Sequence, residues 1–223
     1  MLLALDTATR CASLALHDGR QVWAETTWYT ADHHTTELAP QIAALLLRAG
    51  MTAAELKGVA VALGPGSFTG LRVGLALAKG LVMAQNIPLL GIPTLDILAA
   101  AQPPFDGRLC TVIQAGRGRI CAGFYHWQTN AWRGETEPVV TTWAALVEVI
   151  EDERVRFCGE LDPAGAQALR RLGARAVVAR PADSLRRAGY LADLAWRRLK
   201  RGDRDDPVTL APIYLHEPEA SPA

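Results

Sequence analysis

The 223-residue sequence predicts an α/β fold in two lobes with mixed sheets, on three observations. Each half opens with a pair of strand-like apolar runs around a Gly-containing turn, and helix-like and strand-like patterns alternate after each pair. Near the middle, Ala101-Gln102-Pro103-Pro104-Phe105-Asp106-Gly107 breaks the pattern with two prolines and an Asp-Gly. The lobes are expected at residues 1–104 and 105–223, with the last helix able to pack back on the first lobe.

In the first lobe, Leu2–Asp6, Ala12–His17 and Gln21–Thr27 read as strands, the last two joined by Asp18-Gly19, a tight-hairpin signal. Thr35 or Thr36 can cap a helix whose Leu38, Ile42, Leu45 and Leu46 form one apolar face and whose end is marked by Gly50. Thr52-Ala53-Ala54-Glu55 is a capping box for a short helical turn. A buried strand from Val59 runs into the turn Gly64-Pro65-Gly66-Ser67, a helix follows over Phe68–Gln85, and then come a strand over Ile87–Ile92 and a helix from Thr94.

In the second lobe, Leu109–Gln114 and Cys121–Trp127 form a hairpin around Gly116-Arg117-Gly118. A strand near Val139, a helix from Thr142, a strand over Val155–Cys158, a helix over Pro163–Leu172, a strand over Ala176–Ala179 and a long helix over Asp183–Arg201 complete it. His216–Ala223 reads as a loose tail.

Composition excludes several classes of function. With 23 basic and 23 acidic residues the net charge is zero, which is not the footprint of an autonomous nucleic-acid binder. Arg186, Arg187, Arg197, Arg198, Lys200 and Arg201 crowd the last helix, but the nearby aspartates make a solvated, ion-paired face the expectation there. Cys11, Cys110, Cys121 and Cys158 are scattered without a CxxC pair, which argues for small buried thiols in a reducing compartment and against a zinc or redox centre. Apolar runs are broken well short of a membrane span, and the start lacks a basic segment, so a cytoplasmic location is expected.

The strand–turn–helix at Val59–Gln85 is the most informative stretch. Gly64 and Gly66 let the backbone turn tightly and approach whatever lies there, while Ser67 or Thr69 supplies a hydroxyl at the helix start. The spacing matches neither the Walker loop nor the dinucleotide fingerprint. Along the helix, Gly70, Gly74 and Ala78 form one stripe of small residues and Ala76, Gly80 and Ala84 another. Each interior glycine costs about 1 kcal/mol relative to alanine, so close packing must offset it, either inside the monomer or in an intermolecular helix bundle.

The segment Gly64–Arg72, the later Ile87-Pro88-Leu89-Leu90-Gly91-Ile92-Pro93-Thr94-Leu95-Asp96, the initial Leu5-Asp6-Thr7-Ala8-Thr9 and the terminal Pro212-Ile213-Tyr214-Leu215 resemble the TsaB (YeaZ) family over nearly the whole chain. The resemblance implies an actin-like duplication and a non-catalytic role beside the paralogue TsaD in threonylcarbamoyl transfer to adenosine 37 of tRNAs reading A-starting codons. It also implies the ATPase TsaE as a further partner, a homodimer when the chain is alone, and tRNA met mainly through the complex. No catalytic residue, metal or resident cofactor is implied, ADP or ATP entering only at the partner interface. The motif turn, comprising Asp6, Gly64, Pro65, Gly66, Ser67, Thr69, Gly70 and Arg72, is the expected nucleotide or partner contact. Leu38, Ile42, Leu45, Leu46, Leu71, Gly74, Leu75, Ala78 and Val82 are the expected partner interface.

Two readings meet at Asp6. Actin-like ATPases place a magnesium-linked carboxylate at the corresponding strand end, whereas Thr7 and Thr9 also fit an Asx-type turn. The alternative function is accordingly a nucleotide-using small-molecule kinase or transferase. Asp96 reads as a first-turn helix carboxylate, Ser67 lacks the nucleophile elbow and reads as a cap, and His33-His34 are too close in sequence to share a metal, leaving an exposed or capping role. Where TsaD carries two metal-binding histidines four apart on one helix, this chain has Thr94 and Leu98, and no HExxH occurs. It departs from the family pattern at Gln114-Ala115-Gly116-Arg117, usually Asp-Ala-Arg, and at His216, usually arginine.

Overall fold

The apolar run Leu2–Asp6 (β1) lies at the centre of a five-stranded sheet in the computed structural model, which describes residues 1–31 and 33–215. β2 (Cys11–His17) pairs antiparallel with β1, and β3 (Val22–Tyr29) antiparallel with β2. Beyond α1 (His34–Arg48), β4 (Gly58–Gly64) lies parallel to β1; beyond α2 (Phe68–Gln85), β5 (Leu89–Pro93) lies parallel to β4 and leads into α3 (Thr94–Ala100). The order is β3-β2-β1-β4-β5.

The second sheet repeats this plan. β6 (Arg108–Gly116) and β7 (Arg119–Gln128) form its hairpin, β8 (Ala131–Gly134) and β9 (Val139–Thr141) both pair with β7, and after α4 (Trp143–Glu148) β10 (Val155–Gly159) lies parallel to β6. After α5 (Pro163–Arg170), β11 (Ala176–Val178) lies parallel to β10. α4 and α5 start at the hydroxyl of Thr142 and the carboxylate of Asp162, which accept from the amides of Ala145 and Gly165. The last helix is α6 (Ala188–Lys200).

Alternation along the first sheet separates two cores. Leu3, Leu5, Leu14, Leu16, Val59, Val61 and Leu63 join the apolar faces of α1 and α2. Ala4, Ala15, Ala60 and Ala62 join Ala188, Ala192 and Ala195 of α6, small residues that let this helix lie close to the sheet. β1, β2 and β4 are therefore buried along their whole length. In the second sheet Cys110, Val112, Ile120 and Phe157 pack with Trp143, Leu146 and Leu169.

The backbone contacts define two units, Met1–Ile97 with Arg186–Ile213, and a second built on Leu98–Leu185. This corrects the expected division at residue 104: the buried Gln102 donates to the carbonyl of Asp183 and accepts from the indole of Trp132, so the residues before the two prolines belong with the second sheet. α6 belongs to the first unit.

Other local expectations change as well. The first hairpin closes through four residues, Asp18–Gln21, because the Asp18 carboxylate accepts from the amides of Arg20 and Gln21 and from the indole of Trp23. These bonds, the indole's first, hold its pKa at about 2. α1 begins at His34 without a side-chain cap; Thr36 instead donates to the carbonyl of His33 from within the first turn. β8 is a further strand, reached through a turn that Thr129 and Asn130 build at positive φ (51° and 61°). α6 starts at Ala188 and not at Asp183, since Leu185 and Arg187 are extended. The tail expected at 216–223 lies outside the described residues. Among the described residues no helix is long and apolar enough to cross a membrane.

All four cysteines are free and buried. Burial pushes the Cys110 and Cys158 thiols well above their usual range and Cys121 up to about 12. Near neutral pH the native chain should therefore react only slowly with a thiol-disulfide reagent, and all four thiols should titrate at once in denaturant; rapid native labelling of Cys110 or Cys158 would contradict this packing.

Candidate functional site

At the end of β1 the Asp6 carboxylate is fully buried and already engaged. One oxygen accepts from the amide of Ala8 at 2.9 Å, forming the Asx-type turn, and the other accepts from Nε of Arg186 at 3.0 Å. A terminal nitrogen of Arg186 donates to the hydroxyl of Thr9 at 2.6 Å and to the carbonyl of Cys11 at 3.0 Å. Arg186 is 2% exposed, so the expected solvated basic face does not include it. The extended backbone around it explains why: neighbouring side chains point opposite ways, sending Arg186 inward to Asp6 and Arg187 outward to Glu25. No spacing rule connects residues 180 positions apart, and sequence reasoning missed this partner.

The glycine-rich turn is occupied by the chain itself. A β-carbon on Gly66 would collide with the carbonyl of Ala8, one on Gly70 with the carbonyl of Thr7, and one on Gly74 with the Thr7 hydroxyl. That hydroxyl donates to the carbonyl of Gly70 at 2.7 Å, and the amide of Ser67 donates to the carbonyl of Ala8 at 2.6 Å. Gly64 has φ +113°, and a β-carbon there would lie 2.6 Å from the carbonyl of Ile213. The amide of Ile213 in turn donates to Leu63, which seats the terminal Pro212-Ile213 motif against the turn. The Gly64–Pro65 peptide is cis and Pro65 is buried.

The remaining motif residues point outward. Ser67 caps α2 by accepting from the amide of Gly70, Thr69 is exposed, and the Arg72 guanidinium lies 3.7 Å from the centre of the Phe68 ring. The hydroxyl of Thr94 accepts from the amide of Gly64 at 3.0 Å, Leu98 is fully buried, and Asp96 sits half-buried in the first turn of α3. Of the adjacent histidines, His33 is exposed, but His34 is buried with Nε2 3.1 Å from the carbonyl of Thr9, which corrects its expected exposed or capping role. Among the described residues no group of three or more His, Cys, Asp or Glu side chains is placed to hold a metal.

The residues expected at a partner interface are in the wrong place for one. Leu38, Ile42, Leu45, Leu46, Leu71, Gly74, Leu75, Ala78 and Val82 are all buried within the first unit. The Gly70-Gly74-Ala78 stripe serves internal packing, since it faces Thr7 and the sheet. The other stripe, Ala76-Gly80-Ala84, is exposed, and an added β-carbon at Gly80 meets nothing within 4 Å. Beside it Met83 is 69% exposed, and on α1 Ala39, Ala43 and Leu47 are exposed, Leu47 at 80%.

The family described as TsaD, tRNA N6-adenosine threonylcarbamoyltransferase, matches residues 28–182. The chain is similar to the tRNA threonylcarbamoyladenosine biosynthesis protein TsaB of Bacillus subtilis, 30% identical over 98% of this chain and 95% of that protein. Among solved structures it is similar to YeaZ from Pseudomonas aeruginosa, with a TM-score of 0.80 and 27% identity, covering 96% of this chain and 99% of that one. Component A of (R)-2-hydroxyglutaryl-CoA dehydratase from Acidaminococcus fermentans aligns with a TM-score of 0.53 over 89% of this chain and 98% of that one; at 11% identity the likeness is one of fold alone. The fold is the actin-like one.

Two stability measurements check this geometry. Arg186→Ala leaves a buried carboxylate unpaired and should cost about 3–5 kcal/mol in denaturant unfolding, whereas Asp6→Asn combined with Arg186→Leu should recover much of that loss. Gly74→Ala should cost about 1–3 kcal/mol, because Thr7 cannot retreat without losing its bond to Gly70. Wild-type stability in Gly74→Ala would mean that the helix and the loop after β1 are not in contact.

Proposed function

The chain belongs to the TsaB (YeaZ) family of tRNA threonylcarbamoyladenosine biosynthesis proteins, and from that premise we propose that it acts as a non-catalytic subunit bound to the transferase paralogue TsaD. The observation that carries the non-catalytic part is the engagement of Asp6. A carboxylate that orients magnesium and phosphate must offer its lone pairs to the ion, and here a guanidinium and a backbone amide take them. The turn that would cradle a phosphate is filled by Thr7, Ala8 and Ile213, which further disfavours the kinase alternative. Thr94 and Leu98 offer no imidazole at the positions where the resemblance puts the catalytic paralogue's metal ligands.

The exposed face of α1 and α2 is the partner surface in this reading. Ala39, Ala43, Ala76, Gly80 and Ala84 allow two further helices to approach closely, while Leu47 and Met83 supply apolar area worth about 25 cal/mol per Å² when covered. The same face joins two copies of the chain when TsaD is absent. TsaE completes the assembly in the cytoplasm, any ADP or ATP enters at the interface with the partner, and tRNA is held mainly by the complex.

Gly80→Arg should leave the melting temperature of the isolated chain close to wild type but abolish co-purification with TsaD. In cells depleted of the wild-type protein, the variant should fail to restore threonylcarbamoyladenosine in digested tRNA, read by mass spectrometry. Normal capture of TsaD by folded Gly80→Arg protein would move the interface elsewhere, and ATP hydrolysis by the isolated chain that depends on Asp6 would restore the enzyme reading.

A further inference from the structure

The second unit carries an aromatic cleft that the partner-binding role does not use. Pro104, Phe105, Asp106, Gly107, His126 and Trp127 line an open hollow of about 520 Å³. Its aromatic walls are held in place from behind. The Trp132 indole donates to the carbonyl of Gln102 at 3.1 Å, and Trp127 meets Trp132 edge-to-face with centroids 5.4 Å apart. Gly107 is tight against the carbonyl of Arg154 and 2.8 Å, from a hypothetical β-carbon, to the Phe105 ring, so the floor has little freedom to collapse.

The charge beside this wall is unbalanced. The guanidiniums of Arg154 and Arg156 lie 5.3 and 5.0 Å from the centre of the Phe105 ring. The neighbouring carboxylates Glu135 and Glu153 are committed to Arg108, and Asp183 pairs with Arg180 while also facing the charge of Arg156, so the unbalanced cation is Arg154. Among the described residues Arg154 makes no ion pair, and Nε of Arg156 is buried without a hydrogen-bond partner. The Trp127 ring together with the exposed Arg154 guanidinium is suited to a ligand with a flat ring and an adjacent negative charge. Asp106 at the rim offers an acceptor for an exocyclic amine, while the ring nitrogens of His126 face Gln128 and Glu135.

We propose that this cleft holds one unpaired nucleotide of an RNA, its base against Trp127 and its phosphate on Arg154. The inference rests on the tRNA-modification reading above, which supplies RNA rather than a free nucleotide as the source. Base–aromatic stacking tolerates sequence variation, and a single cationic contact gives weak binding, which suits a chain of zero net charge that meets RNA inside a larger assembly.

The test uses the full chain with a fluorescein-labelled single-stranded oligoribonucleotide, read by anisotropy at low salt, with unlabelled ATP as competitor. The wild type should bind saturably. Trp127→Ala should weaken binding about tenfold, the loss of one base stack, and Arg154→Glu should both weaken binding and lower its salt dependence by about one phosphate contact. Photocrosslinking should place the oligonucleotide on the peptide containing Trp127. If Trp127→Ala does not fold, the exposed Arg154→Glu decides alone. Absent wild-type binding, equal binding by folded Arg154→Glu protein, or displacement of the oligonucleotide by an equal concentration of ATP would each overturn the proposal. Capture of TsaD and cellular threonylcarbamoyladenosine are unaffected by the first two of those outcomes, so failure here is distinguishable from failure of the family role.

Discussion

The close approach of the loop after β1 to α2 sets the geometry of the first unit. Three glycines of the turn and helix, at positions 66, 70 and 74, each face backbone or side-chain atoms of Thr7 and Ala8 with no space for a β-carbon. Interior glycine weakens a helix, and the seam offsets that cost by bringing two backbones together, with the Thr7 hydroxyl bonded to the carbonyl of Gly70. Because β1 is the central strand, fixing its end against α2 also fixes β4, which runs into the same turn, and Ile213, which pairs with Leu63 at its far side.

The buried pair of Asp6 and Arg186 follows from that seam. With the loop pressed onto the helix start, the Asp6 carboxylate is shut off from the surface, and its negative charge must be met from within the fold. Arg186 meets it from the extended segment before α6, and its remaining donors reach Thr9 and Cys11 at the start of β2. A strand end that could present a carboxylate to a metal-bound phosphate is thereby tied to the last helix of the unit. On the outer faces of α1 and α2, by contrast, Ala39, Ala43, Leu47, Ala76, Gly80, Met83 and Ala84 are exposed.

Much of the local structure was legible in the sequence because it depends on neighbours a few residues apart. The span of α2, the Ser67 cap, the hairpin at Gly116-Arg117-Gly118, the box at Thr52–Glu55 and the cap at Thr142 all rest on such short-range chemistry. The same kind of reading overlooked β8, although Thr129 and Asn130 lie side by side in its turn, because the strand itself is only four residues long. It overextended α6 because a helical pattern in sequence does not register that Leu185–Arg187 must be extended for one arginine to turn inward.

The sequence by itself determined that helix α2 carries two stripes of small residues, and that one or both had to pack closely. Only the tertiary structure decided which stripe faces inward, since periodicity fixes relative positions around a helix but not the direction of the sheet it covers. Likewise the Asx-type turn at Asp6 was legible locally but its cationic partner was not: a charge's counter-ion is chosen by where the chain returns in space, and here it returns after 180 residues. Composition could show that basic and acidic residues balance over the whole chain; which guanidiniums are neutralised and which are left beside an aromatic wall is a matter of three-dimensional distance.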